Sequence, residues 1–143
     1  MKLWRLYRAA HGPGLDGVGG LHAAGRWHPL GGWVVYFGAS AAIVVLEKLA
    51  HINPDVLPRD LVLGRFEADV SLEELAPPFD THDIAKTRSY GAAFLESQRS
   101  CVLRVPSMVL PEEFNLVFNP QHPDAGKIRS VSRRHFSFDQ RLL

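Results

Sequence analysis

A carboxylate among aliphatic residues is the first feature of this sequence that asks for a chemical explanation. Glu47 lies in AAIVVLEKLAH, from Ala41 to His51, and apolar residues precede it on every face of a helix. Burying such a group is costly unless it is paired or faces a polar cavity. Glu47 therefore shares a solvated stripe with Lys48, pairs with an arginine, or works in a cleft. Arg26 sits in AAGRWHPLGG between two glycine-bearing turns. Its planar fork can grip a phosphate or a carboxylate through two bonds, although an ordinary loop arginine would read the same way. Trp27 and Tyr36 offer flat faces for stacking on a ring, or serve as core. Ser107 closes LRVPS, from Leu103, where its hydroxyl could bond a ligand or shape the turn after Pro106. No Gly-x-Ser-x-Gly elbow surrounds it, which argues against a hydrolase nucleophile.

The seven histidines share no metal-ligand spacing, so no metal is expected. Lys127, Arg129, Arg133, Arg134 and Arg141 make the tail basic. It lacks the aromatic and basic interleaving of an RNA-binding sheet and reads as solvated surface. His11 to Gly20, HGPGLDGVGG, is a glycine-rich loop, either beside a ligand or a plain connector. Its glycines fit neither a P-loop nor a dinucleotide-binding fingerprint.

The elements that must hold these residues follow from pattern. Residues 1–8 and Trp33 to Gly38 read as strands. Ser40 can cap a largely buried helix from about Ala41 to Ile52, ended by Asn53-Pro54. Leu61 to Val70 reads as a strand. Ser71-Leu72-Glu73-Glu74 has a capping-box pattern and predicts a short helix. Asp83 to Gln98 is helical in part, and Cys101 to Val105 and Phe114 to Phe118 are strands. Strands broken by helices of unequal length, without regular alternation, predict a single mixed α+β domain over residues 1–143.

Composition narrows the class further. Lys and Arg number 16 against 15 Asp and Glu, a formal net charge of +1, which removes global charge as an argument for nucleic-acid binding. The hydrophobic fraction of 46% opposes disorder. The single cysteine, Cys101, can form neither an internal disulfide nor a zinc site alone, and a cytoplasmic setting fits best. MKLWRLYR at the N-terminus lacks the apolar centre of a signal peptide. The longest apolar run, Ala39 to Leu46, is too short for a bilayer, so no membrane association is expected.

In order along the chain stand LYR at Leu6 to Arg8, GRW at Gly25 to Trp27 and VVYFGAS at Val34 to Ser40. Next come the helix ending in Leu46-Glu47, TRSYG at Thr87 to Gly91 and LRVPS at Leu103 to Ser107. N-x-x-x-NPxHPD, from Asn115 to Asp124, and FSFDQRLL, from Phe136, complete the series. In this register the chain resembles the RES domain family, toxins of the Xre–RES toxin–antitoxin systems. One departure is His28, where the family often carries asparagine.

The resemblance implies an ADP-ribosyltransferase-like fold with a split β core and peripheral helices. It also implies NAD⁺ as substrate, not as a prosthetic group, and cleavage of the nicotinamide–ribose bond. The named arginine, glutamate and serine fall on Arg26, Glu47 and Ser107, which become the expected catalytic residues. Arg26, Trp27, Tyr36, Ser107 and Asn119 become the expected NAD⁺ contacts. Loss of nicotinamide leaves positive charge on the ribose, which Glu47 could stabilise. The acceptor is open between water, phosphate and a protein side chain, so hydrolysis, phosphorolysis and ADP-ribosyl transfer all stand. An inactive partner that acts only in transcriptional repression is a further alternative. The implied partner is an Xre-like helix-turn-helix antitoxin, with DNA bound only through the complex and a homodimer or larger assembly allowed.

Overall fold

The computed structural model describes the whole chain, Met1–Leu143. Its strands are β1 (Lys2–Arg8), β2 (Val35–Gly38), β3 (Leu61–Glu67), β4 (Leu72–Glu74), β5 (Val102–Pro106), β6 (Phe114–Phe118) and β7 (Arg129–His135). Its helices are α1 (Gly19–His22), α2 (Ala41–His51) and α3 (Ile84–Ser97). One seven-stranded sheet runs in the order β4-β5-β6-β2-β1-β3-β7. Only the β4–β5 pair is parallel. The mixed α+β class read from the sequence is the one observed, and no helix is long and apolar enough to cross a membrane.

The sheet is divided in its middle. β1 and β3 pair along their full lengths, and β2 pairs with β6 from Val35 to Gly38. β1 and β2 meet only at Trp4 opposite Gly38. Alternation sends Leu3, Val35, Phe37, Leu116 and Phe118 into one core. The other face carries two smaller cores. Trp27, Phe94, Leu103, Val105 and Val117 pack around α3. Leu61, Leu63 and Phe136 pack with Val44 and Val45 of α2. Each half of the sheet thus has its own helix, with the division between them.

Local signals explain most element ends. Ser40 has extended backbone and its hydroxyl accepts the Ile43 N–H, which starts α2 as expected. Asp83 caps α3 in the same way through the Lys86 N–H, and Gln98 ends α3 in the left-handed conformation. Two expectations change. α2 is not largely buried: Ile43 alone is fully enclosed, and its other apolar residues are half-buried or exposed. Ser71 to Glu74 is not a helix, because residues 72–74 pair with β5 as β4. There the Ser71 hydroxyl accepts the Cys101 N–H, and Glu74, the glutamate of the box, pairs with Arg104, so neither serves a helix start. Much of the basic tail forms β7, an edge strand on β3 that is nearly all exposed, in keeping with the solvated surface expected of it.

Candidate active site

The chemical residues converge on the division of the sheet. A cavity of about 390 Å³ is bordered by Arg26, Tyr36, Glu47, Lys48, His51 and Asn115, with Arg5 and Met108 beside them. Val44, Glu47, Lys48 and His51 are spaced i, i+3, i+4 and i+7, so α2 turns one continuous stripe toward it.

Glu47 has no cationic partner. Its Oε1 accepts the Ser107 hydroxyl at 2.6 Å and the Asn115 amide at 2.8 Å. These neutral donors, from the end of β5 and from β6, fix the carboxylate without neutralising it. Ser107 is 1% exposed, and its oxygen also accepts the N–H groups of Val109 and Leu110. One donor and two acceptor sites are thereby used, so no capacity is left for a ligand. Ser107 therefore stands behind Glu47, with its hydroxyl fully engaged by the chain itself.

Tyr36 borders the cavity, and its hydroxyl oxygen accepts the Trp27 N–H at 3.1 Å. The same hydroxyl lies 2.6 Å from His28 Nδ1. Burial raises the phenol pKa far above its usual value, outweighing the opposing pull of the Trp27 N–H and the Arg88 charge, so Tyr36 stays neutral. Arg26 reaches only the Thr81 carbonyl, at 3.5 Å, and has no carboxylate partner. Its fork remains available. Trp27 borders the cavity, but its ring packs tilted on Phe79 and edge-on to Tyr90, which assigns it mainly to the α3 core.

Asn119 is not brought to this cavity. It is 1% exposed, donates to the Leu95 carbonyl and accepts the Gln121 N–H, so its amide fastens β6 to α3. Both bonds of its side chain are thus made within the chain.

Sequence reasoning missed Arg5. Its guanidinium crosses the gap between β1 and β2, with Nη1 donating to the Tyr36 carbonyl at 2.8 Å and Nε to the Pro13 carbonyl at 2.7 Å. Burial lowers its pKa, with Tyr7 opposing. The signal was there, since alternation in MKLWRLYR puts Arg5 on the same face as Leu3. Lys48, His51 and Asn115 were also unassigned, and the 3.6-residue period through Glu47 would have found the first two. Through Pro13, Arg5 holds the glycine-rich loop over a second cavity of about 980 Å³, which shares Arg5, Tyr36 and Lys48 with the first. Neither Arg26 nor Lys48 joins an ion pair, so the joined cleft favours an anionic ligand.

The chain is similar to proteins named as toxins. The Prs ADP-ribosylating toxin of Sphingobium sp. (strain YBL2) is 33% identical over 155 residues, covering 99% of this chain and 96% of that one. A protein named Toxin Res from Pseudomonas putida is 36% identical over 150 residues and covers both chains fully, at 100% and 100%. A chain in the crystal structure of the M. tuberculosis MbcT–MbcA toxin–antitoxin complex shares the fold, with a TM-score of 0.78 at 17% identity. That match spans 95% of this chain and 84% of the other. Residues 2–139 match the RES domain model, and the chain belongs to the RES domain family.

Proposed function

We propose that this chain is the enzymatic toxin of a toxin–antitoxin pair and that it cleaves the nicotinamide–ribose bond of NAD⁺. The observation that carries this reading is Glu47, an unneutralised carboxylate held by Ser107 and Asn115 in a cleft whose cations outside any ion pair include Arg26 and Lys48. When the bond breaks, nicotinamide departs with both bonding electrons as a neutral molecule and the ribose carbon becomes cationic. A fixed carboxylate stabilises that charge without having to reorganise. Nicotinamide needs no general acid because it leaves from a cationic ring. Arg26 and Lys48 would hold the pyrophosphate, and the neutral Tyr36 ring would face the nicotinamide.

The acceptor divides the reading in two. Water or phosphate as acceptor makes the chain an NAD⁺-degrading enzyme. A protein side chain makes it an ADP-ribosyltransferase, which the name of the Sphingobium relative favours. The partner we infer is an Xre-like antitoxin that covers the cleft, with an acidic group or chain terminus of the antitoxin at the Arg26 and Lys48 cations. An inactive partner used only in repression would have no need of the intact Glu47, Ser107 and Asn115 arrangement. Incubating the pure chain with NAD⁺, with and without phosphate, and assaying free nicotinamide tests the reading. Release is expected, and phosphate stimulation marks phosphorolysis. No release alone, but labelling of cell protein by tagged NAD⁺, would move the reading to protein modification.

A further inference from the structure

We propose that His28, seconded by Arg88, is a positioning residue that sets the turn carrying Arg26 and so aims the arginine fork at the anionic part of the substrate. The substrate named here rests on the NAD⁺ reading above; the hydrogen-bond relay does not.

His28 is 3% exposed, and both of its ring nitrogens are engaged. Nε2 lies 2.7 Å from the Ala23 carbonyl, which can only accept, so Nε2 carries a proton. The neutral ring then presents Nδ1 as an acceptor, and the Tyr36 hydroxyl donates to it across 2.6 Å. This leaves the phenol oxygen to accept the Trp27 N–H. The relay runs Ala23, His28, Tyr36, Trp27 and clasps both sides of Arg26. Two further bonds close the turn. The Gly25 N–H donates to the His28 carbonyl at 3.1 Å, and Arg88 Nε donates to the Gly25 carbonyl at 2.9 Å. A side chain at Gly25 would clash, since a Cβ there would stand 2.7 Å from the His28 ring and 2.8 Å from the Tyr36 hydroxyl. The backbone around Arg26 is thus pinned from both sides, while its guanidinium makes one long contact. That division of labour suits a group that must be aimed yet remain free to bind. His28 itself has no polar atom left for a ligand, so its influence must pass through the turn.

Two measurements separate this role from simple stabilisation. In histidine-labelled protein, nitrogen NMR should show the Nε2–H tautomer for His28, and Tyr36→Phe should shift its Nδ1 resonance. A His28 ring protonated at Nδ1, or insensitive to Tyr36→Phe, overturns the relay. Affinity for ADP-ribose, by calorimetry, should fall about tenfold in His28→Ala. In an Arg26→Ala background the same change should cost nothing further, because a residue acting through Arg26 then has nothing to act through. Additive losses overturn the proposal. If His28→Ala does not fold, Arg88→Met enters the cycle with the same expectation and the same overturning result. A parent protein that neither binds ADP-ribose nor releases nicotinamide contradicts the NAD⁺ reading, and the histidine spectrum then still decides the relay.

Discussion

Ser107 Oγ stands 2.6 Å from Glu47 Oε1 although the two residues are 60 positions apart in the chain. The same hydroxyl accepts the Val109 and Leu110 N–H groups, so one atom ties the carboxylate of α2 to the turn after β5. The serine orients the glutamate and shapes the rim of the cleft at once.

Ser107→Ala should therefore have two effects. Two turn N–H groups lose their acceptor, which costs about 1–3 kcal/mol of stability. Glu47 keeps only the Asn115 donor, so nicotinamide release should slow as well. Urea unfolding together with the turnover assay reads both. Lost stability with unchanged turnover would reduce Ser107 to a turn residue.

Arg26→Lys keeps the charge and loses the two-point grip. We expect KM for NAD⁺ to rise about tenfold while the unfolding midpoint stays put. The second expectation follows from the single 3.5 Å contact that the side chain makes. A KM equal to that of the parent would show that the charge alone suffices.

Gly91 lets α3 lie against the backbone of the Arg26 turn, since a Cβ there would sit 1.6 Å from the Trp27 carbonyl oxygen. Gly91→Ala should destabilise by about 1–3 kcal/mol and lower activity, because the turn must move. Gly126→Ala meets nothing within 4 Å and should change stability by less than about 0.5 kcal/mol. Equal melting temperatures for the two variants would contradict the close approach.

Cys101 is 0% exposed, and burial pushes its thiol up to about 11, with Asp124 adding to the rise. It is almost wholly protonated and shielded near neutral pH. Labelling by a thiol reagent should wait for unfolding and track urea concentration with the fluorescence transition. Rapid labelling of the native chain would show that the core opens locally.

Much of this was legible in the residues, and the exceptions have physical causes. Trp33 to Gly38 announced a buried strand by its apolar run, Phe114 to Phe118 also read as a strand, and Ser40 announced α2 by its capping position. Glu47 stood out because a carboxylate in an aliphatic segment needs a reason. Ser71 to Glu74 misled because a capping box is a local signal, and here the backbone of β5 and its Arg104 side chain supply stronger partners from elsewhere in the chain. β7 was hidden because an edge strand with both faces largely exposed has no hydrophobic alternation to reveal it. Ser107 and Asn119 share one limit. Residue type proposes a polar contact, but only the fold decides whether the partner is a ligand or the protein itself. Arg5 escaped for the converse reason, since a charged residue in an opening strand passes as surface until its register is known.

The most direct test compares nicotinamide release by the parent chain with that by Glu47→Gln. A glutamine can still accept the Ser107 and Asn115 hydrogen bonds, so the fold and the melting temperature should be preserved while the charge is lost. Ready release by the parent is expected, with a fall of about 10²–10³ in the variant, the usual cost of removing an electrostatic stabiliser. A folded glutamine variant that turns over NAD⁺ at nearly the parental rate would contradict the role given to Glu47.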